Sequence, residues 1–411
     1  MCRNLSRLSS QKWCFSLELL PQPIYLVGGA VRDALLGRNA DYLDLDFVLP
    51  ADAIATARTL ARHYKAGFVI LDAQRQIARV VFPQATVDFA LQEGSSLETD
   101  LRRRDFTVNA IAYNPHTQEI IDPLHGCIDL QQQRLRMVSL QNLQDDPLRL
   151  LRAYRQAAQL SFTIESETRS AIQTLAPYIK QVAAERVRVE LGYLLAHAQG
   201  TPWLKSAAQD GLIEYWFPHA NIEDVAAVDT AAAKLTEIWS QLNVELYQSV
   251  RDTVKTTWLG IAKLACLVTP QPETAEVELV QLTYSRAEIR AVTTLLKLLP
   301  QIQTHPLSIR EQYFLFRETG QVFGAIALLA VAKGTAIEAI APLIDHYLDP
   351  QNPIAHPTPL VTGKDLIQAL KIKPSPLIGK LLNAIALAQV EGKINTADEA
   401  LKLAATLIDT Q

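Results

Sequence analysis

Several features that would place a protein in a membrane, a secreted scaffold or a metal-stapled domain are missing. No uninterrupted apolar run approaches the ~18 residues of a spanning helix, which argues against an integral membrane protein. The 411 residues hold only four cysteines, Cys2, Cys14, Cys127 and Cys266. They lie far apart, with no CxxC and no Cys/His cluster. A structural zinc site or a disulfide framework is therefore not expected, and the reading is a reducing, cytoplasmic setting. Neither GxxxxGK[ST] nor GxGxxG occurs, so P-loop ATPase and dehydrogenase readings lose their main support. Positive charge is not in excess: 39 Lys and Arg stand against 43 Asp and Glu, a net −4. Nucleic-acid binding would need a local basic face. What remains is ordinary globular composition, 49% apolar and 20% charged, long enough for roughly two to four domains.

The first twenty residues, MCRNLSRLSSQKWCFSLELL, are basic and rich in serine. They lack the apolar core and small-residue cleavage site of a secretory signal and read as a floppy leader over 1–22. Ile24–Val27 is a short apolar run stopping at Gly28-Gly29, which suits a strand entering a turn. A short helix follows to Leu36, closed by Gly37. Leu43, Leu45, Phe47 and Leu49 alternate with Asp44, Asp46 and Val48, a half-buried strand ended by Pro50. A helix over 51–64 and strands over 68–71, 77–82 and 86–91 complete a small sheet. From about Asp145 strand signals nearly vanish. Asp146-Pro147 reads as a helix start, with Asp capping and Pro at the first helical position. Helices are expected over 147–160, 165–178, 183–197, 224–250, 253–268, 286–298, 308–317, 320–348, 363–371, 376–391 and 396–408. Pro350, Pro353, Pro357 and Pro359 mark a linker before the last segment.

Two carboxylates carry the chemistry. Asp44 and Asp46, at i and i+2 on a strand, project from one face, where they repel each other. Divalent cations relieve that repulsion. Mg²⁺ is usually held by one or two carboxylates plus substrate phosphates, and a metal pair supports in-line displacement at phosphorus. Upstream, Gly28 and Gly29 allow close backbone approach to a ligand, and Arg32 can pair with phosphate oxygens. A phosphate-gripping turn one strand away from a metal-binding pair suggests a nucleoside triphosphate site. A lone pair of surface aspartates would mean nothing; this context gives it weight.

The ordered set LVGGAVRDALLG, LDLDFV, RRRDFTVNAIAYNP, IDPLHGCIDL, DDPLRLLRAYRQAAQLSF and AERVRVEL resembles the bacterial class II tRNA nucleotidyltransferase and poly(A) polymerase family. The resemblance spans about residues 24–195 and returns in the tail from Thr362 to Gly392. It implies an α+β head of the DNA polymerase beta-like nucleotidyltransferase type, a small sheet with helices, followed by an all-α neck, body and tail. The expected division is a leader over 1–22, a catalytic head over 23–143, and a helical neck with base recognition over 144–215. A helical body over 216–349 and a tRNA-binding tail over 350–411 follow. By position, Asp44 and Asp46 match the catalytic metal-binding acids, and Gly28, Gly29 and Arg32 the triphosphate grip. Arg103, Arg104, Asp105 and Asn109 match contacts to sugar and phosphates. Asp146, Arg149, Arg152 and Arg155 match recognition of the incoming base and its phosphates, with Glu185 and Arg186 buttressing that helix.

The base-reading assignment makes chemical sense. An ionised Asp only accepts hydrogen bonds and Arg only donates. Cytosine and adenine each present an amine donor beside a ring-nitrogen acceptor, so one Asp146–Arg149 pair suits both. Guanine and uracil present the reverse order. The family reading therefore implies template-independent addition of C, as CC or the full CCA, to the tRNA 3′ end from CTP and ATP, with Mg²⁺ as cofactor. The alternatives are a poly(A) polymerase and a non-catalytic RNA-binding relative. Three departures stand out. Asp145 replaces the family's usual glutamate. The turn from Gly37 to Asp44 is long, making Asp41 a rival ligand. The gap between Phe89 and Arg103 is short. Members that add the whole CCA carry a longer mobile loop there, so the short gap favours CC addition and a separate A-adding partner. Asp88 could be a third carboxylate or a solvated strand residue. Arg286, Arg290, Lys297, Lys364, Lys371 and Lys373 are candidate tRNA contacts.

Overall fold

The computed structural model describes residues 8–38, 42–251, 254–304 and 306–409. The chain divides into two compact units, Met1–Glu190 with Ser206–Tyr215, and Leu191–Lys205 with Trp216–Gln411.

The first unit is built on a mixed seven-stranded sheet. Its strands are β1 (Tyr25–Val27), β2 (Leu43–Leu49), β3 (Gly67–Asp72), β4 (Ile77–Phe82), β5 (Ala85–Leu91), β6 (Ala112–Asn114) and β7 (Glu119–Ile121), in spatial order β3-β4-β5-β2-β1-β6-β7. β2 and β5 run parallel, and every other neighbouring pair is antiparallel. The strands β6 and β7, on one flank, have no counterpart in the sequence reading. The alternation seen in β2 is shared by its neighbours. Leu45, Phe47, Val87, Phe89, Ala78 and Val80 are buried, and Phe47 stacks on Phe89 with ring centroids 5.6 Å apart. The opposite face carries Asp44, Asp46, Thr86, Asp88 and Arg79. Short helices α1 (Gly29–Leu35) and α2 (Ala53–Tyr64) follow β1 and β2. Then come α3 (Leu97–Leu101), α4 (Gly126–Gln131), α5 (Leu140–Asp145), α6 (Leu148–Leu160), α7 (Ser166–Leu175) and α8 (Ala184–Ala196).

The N-terminal segment departs from the floppy leader. From Leu8 onward it packs on the sheet through Leu8, Phe15 and Leu20, all buried. Phe15 stacks on Phe82 and Trp13 meets Phe47 edge-on at 5.3 Å. The Tyr64 hydroxyl accepts the Ser16 N–H at 2.8 Å. An aromatic cluster outweighs the polar composition that made this stretch read as loose.

The second unit is largely, not wholly, helical. The helix expected over 224–250 breaks at Trp239 into Ile222–Ile238 and Ser240–Leu246, and Ser249–Arg251 pairs with Val254–Thr257 as a hairpin. β-branched Val and Thr there favour a strand. The helix expected over 320–348 is Phe323–Ala332 and Ile337–Leu348, parted at Gly334, whose φ of 95° suits glycine. The stretch Ile309–Ala332 is long and apolar enough by length and composition to cross a membrane, and 67% of its most apolar 18-residue window is buried within the protein. That is the profile of a core helix. Val361, Leu366, Leu381, Ile385, Ala400 and Ala404 form a separate small core near the C-terminus. Of the described cysteines, Cys14 and Cys266 are free thiols, Cys266 buried.

Candidate active site

A polar stripe crosses three strands in register. Asp44 lies opposite Thr86, and Asp46 opposite Asp88, which in turn faces Arg79 on β4. The Thr86 hydroxyl donates to Asp44 Oδ1 at 2.7 Å. Arg79 donates to both oxygens of Asp88, Nε at 2.7 Å and Nη2 at 2.8 Å. Asp88 is thus neutralised by a bidentate partner, while Asp44 and Asp46 face each other without one. Burial, reinforced by the charges of Asp44 and Asp88, pushes the Asp46 carboxyl up to about 6. The carboxylates present form no cluster of three potential ligands among the described residues. Two like-charged acids with room for phosphate oxygens suit Mg²⁺, which favours few protein ligands. Asp41, the rival ligand, lies outside the described residues.

The turn after β1 brings a third strand end to the same place. Gly28 has φ +73°, and a Cβ there would sit 3.4 Å from Arg104 Nη1 and 3.5 Å from Asp46 Oδ2. The backbone conformation favours glycine, while a Cβ would meet these two groups only at ordinary contact distance. Gly29 opens α1, and Arg32 on that helix is tied down. Its Nε and Nη2 bind Asp33 at 2.8 and 3.0 Å, and Nη1 donates to Asn109 Oδ1 at 2.8 Å.

Asn109 belongs to a buried network centred on Asp105. Asp105 accepts from the Phe106 N–H at 2.8 Å, Asn109 Nδ2 at 2.9 Å and Gln156 Nε2 at 3.4 Å, with Arg152 Nη2 at 3.2 Å. Burial pushes the Asp105 carboxyl up, but the Arg152 charge and these hydrogen bonds outweigh it and hold the pKa below the ordinary value. Its carboxylate is therefore committed to the protein's interior. Arg155 is committed too, to Glu190 through Nε and to Gln159 at 2.7 Å through Nη1.

The remaining residues line a neighbouring cavity of about 510 Å³ with Arg75, Glu93, Asp100, Arg103, Arg104, Asp145, Asp146, Arg149 and Arg186 on its walls. Nearly every acid here already holds an arginine. Glu93 pairs with Arg103 at 2.7 Å, Asp100 with Arg104 at 3.2 Å, and Asp146 with both Nη atoms of Arg186 at 3.1 and 2.9 Å. Asp146 is extended, φ −137° and ψ 90°, and precedes α6. Its side chain does not cap that helix, and Pro147, not Asp146, holds the N-cap position. The i, i+3 helical pairing with Arg149 is thus replaced by a loop-to-helix relation, kept by the Arg149 N–H donating to the Asp146 carbonyl at 3.0 Å. Arg149 Nη1 donates to the carbonyls of Arg103 and Asn142 at 2.9 and 3.1 Å. Its Nε and Nη2 have no partner among the described residues. The buried Nε of Arg104, on the same wall, is also unpartnered. Orphaned guanidinium donors around a cavity are a cradle for an anion.

A CC-adding tRNA nucleotidyltransferase of Synechocystis sp. is 51% identical to this chain over 397 residues, 96% of this chain and 95% of that protein. This chain belongs to the class II tRNA nucleotidyltransferase and poly(A) polymerase family. An A-adding tRNA nucleotidyltransferase of Deinococcus radiodurans is 31% identical, over 93% of this chain and 95% of its own. Family models agree in order along the chain. The poly A polymerase head domain matches 24–94 and 83–136, the probable RNA and SrmB-binding site of polymerase A matches 161–223, and the putative tRNA nucleotidyltransferase domain 2 matches 252–405. A CCA-adding enzyme solved with CTP shares the fold, with TM-score 0.72 and 24% identity over 94% of this chain and 91% of that one.

Within the class II frame, some contributors were not legible from motif positions. Thr86, Arg79, Glu93, Asp100, Asn142 and Glu190 all touch expected site residues but lie outside or at the edge of the motifs. Asn142 is the clearest case. Buried on α5, it donates from Nδ2 to the carbonyls of Arg102 at 2.7 Å and Arg104 at 2.8 Å, fixing the arginine-bearing turn. A polar residue on the inward side of a short amphipathic helix was the available signal.

Proposed function

We infer that this chain is a CC-adding tRNA nucleotidyltransferase, transferring CMP from CTP to the tRNA 3′ end and releasing pyrophosphate. The observation that carries this is the 51% identity to a CC-adding enzyme over nearly the whole chain. The segment between β5 and Arg103 supports it. Only Gln92–Ser96 separate β5 from α3. That segment is pinned, with Asp100 Oδ1 accepting the Glu93 N–H at 3.0 Å and Ser96 capping α3. It leaves no long loop.

In this reading Asp44 and Asp46 are the residues that would hold Mg²⁺. Mg²⁺, when bound, lowers the charge on the reacting phosphates and the pKa of the attacking hydroxyl. Gly28, Gly29 and Arg32 position the triphosphate; Arg103, Arg104 and Asn109 serve sugar and phosphates. Asp105 and Arg155 act through Arg152 and α6, which they hold in place. Asp146 and Arg149 read the base: the carboxylate accepts from the cytosine amine and the free guanidinium edge donates to the ring acceptor. The tRNA 3′-oxygen bonds to the α-phosphorus as the α–β anhydride breaks, and the hydroxyl proton is lost to solvent. The division into head (23–143), onto which the N-terminal segment packs, neck (144–215), body (216–349) and tRNA-holding tail (350–411), a cytoplasmic location, and an A-adding partner enzyme using ATP complete the proposal.

The test is extension of tRNA lacking its CCA end, with Mg²⁺, read at single-nucleotide resolution. CTP alone and CTP with ATP should both add two residues. A third residue with ATP would make it a CCA-adding enzyme. Long A runs from ATP alone would make it a poly(A) polymerase.

A further inference from the structure

The helix Ile309–Thr319 of the second unit turns an aromatic ring and two guanidiniums outward together. We propose that Arg310, Phe314 and Arg317 form a receiving site for an unpaired RNA base, with the ring as its stacking surface and the two arginines on the flanking phosphates. This deepens the tRNA reading and rests on it only for which RNA is bound.

Spacing sets the face. The three residues stand at i, i+4 and i+7, one stripe of an α-helix. All three are exposed, whereas Tyr313, Leu315 and Phe316 beside them are buried. An exposed phenyl ring alone is ordinary; the surroundings of this one are not. Arg317 lies 5.1 Å and Arg310 6.0 Å from the Phe314 ring centroid, within cation–π range. The ring also lines a cavity of about 340 Å³ with Pro300, Gln301, Thr304, Leu307 and Glu311, toward the small end of the roughly 300–1,000 Å³ range of ligand pockets. Pro300 and Leu307 offer apolar surface, and Gln301 an exposed amide able both to donate and to accept at a base edge.

Charge selects the ligand. The acids close by are spent. Glu311 caps its own helix through Ser308, and Glu318 holds Lys297 at 2.6 Å. Glu391 is bonded to Lys393 at 2.5 Å, which with the charge of Arg310 keeps its carboxyl below the ordinary value. Arg317 Nη1 donates to the neutral Asn383 amide at 2.9 Å, which seats the guanidinium without cancelling its charge. Neither Arg310 nor Arg317 makes an ion pair among the described residues. Two uncompensated positive charges beside an aromatic ring fit a ligand that carries both a π-face and phosphates. An unpaired nucleotide is that ligand, since base–aromatic stacking tolerates any base and arginine meets phosphate oxygens. A base inside a duplex hides its face, so the site selects loops and single strands over paired stems.

The experiment uses the full chain and two RNA probes of equal length, a hairpin with an unpaired loop and a blunt duplex, with affinity read by fluorescence anisotropy. The wild type should prefer the hairpin. F314A should weaken hairpin binding by at least about fivefold and change duplex binding by less than about twofold. F314W should restore the hairpin affinity. R310E/R317E should weaken binding of both probes and flatten its salt dependence. In the extension assay F314A should raise the tRNA KM, with kcat and the CTP KM near wild type. Unchanged hairpin affinity of F314A overturns the proposal, as does an equal loss on the duplex or a loss that F314W fails to restore. If the wild type fails to extend tRNA yet F314A loses hairpin affinity, the nucleotidyl-transfer reading fails and the site stands. If extension is normal and F314A binds the hairpin like wild type, the site fails and the reading stands.

Discussion

The two cavities of the head handle charge in opposite ways. On the strand face, Asp44 and Asp46 lie beside each other with no ion pair of their own, and burial together with mutual repulsion outweighs the nearby charges of Arg104 and Arg79 on Asp46. In the neighbouring cavity, Glu93, Asp100 and Asp146 each already hold an arginine. The first is preorganised for a cation that the protein does not supply. The second is satisfied without ligand, so on the proposed reading a nucleotide would exchange ion pairs to be read. The difference teaches that one half of the site keeps its binding free energy as unrelieved repulsion, and the other keeps specificity as replaceable pairs.

Removing the repulsion should have the largest effect. Asp46→Asn should lower tRNA extension by more than about a hundredfold, beyond the ~10–100-fold cost of losing even a supporting partner of a metal ligand. The same change should stabilise the metal-free protein near neutral pH. The Asp46 carboxyl is pushed up to about 6, above its unfolded value. Between roughly pH 4 and 6 the folded state therefore binds more protons than the unfolded one, and this group's contribution to stability falls as pH rises through that window. Thermal melts without metal at pH 5 and pH 7 should show a smaller loss for Asp46→Asn than for the wild type. Equal losses would mean that burial and the neighbouring acids do not hold the Asp46 carboxyl above its ordinary range.

The second cavity gives the intermediate effect. Asp146→Asn removes the acceptor expected to take the cytosine amine, and it also releases Arg186. The preference for CTP over UTP should fall by roughly ten- to a hundredfold, the weight of one bidentate base contact of about 1–3 kcal/mol. The apparent Mg²⁺ requirement should stay where it is. A change in metal dependence with specificity intact would erase the division of labour between the cavities.

That division was only half legible beforehand. The alternation of Leu43, Leu45 and Phe47 with Asp44 and Asp46 is a local, period-two signal, and the strand, its faces and the shared direction of both acids follow from it directly. Gly28 before α1 was readable for the same reason, since a positive φ leaves few alternatives. The partners of the second cavity are set by long-range packing. Arg186 reaches Asp146 from forty residues away, and Asn142 fixes the carbonyls of a turn thirty-eight residues earlier. No local pattern encodes either. The leader failed differently. Its composition is polar, but Leu8, Trp13, Phe15 and Leu20 are enough to seat it on an aromatic face. Strands β6 and β7, three residues each, are too short for periodicity to register.

The smallest expected effect tests what keeps the two acids apart from their neighbour. Arg79 binds both oxygens of Asp88, and that acid lies in register beside Asp46. Hydrogen bonding to Asp88 raises the guanidinium pKa well above its ordinary value, so the arginine stays charged. Arg79→Ala leaves a third bare carboxylate beside Asp44 and Asp46. Because the arginine is partly exposed, the loss in folding stability should be only about 1 kcal/mol. Catalysis should move more than stability. A third unneutralised acid would tighten divalent-ion binding while misplacing the ion relative to the phosphates, so half-maximal Mg²⁺ should fall and kcat should drop a fewfold. The double variant Arg79→Ala/Asp88→Asn should return half-maximal Mg²⁺ toward wild type, since it removes the surplus charge as well as its partner. If the double variant behaves like Arg79→Ala alone, the arginine supports the strand mechanically, and neutralisation of Asp88 is not what would confine the proposed Mg²⁺ to Asp44 and Asp46.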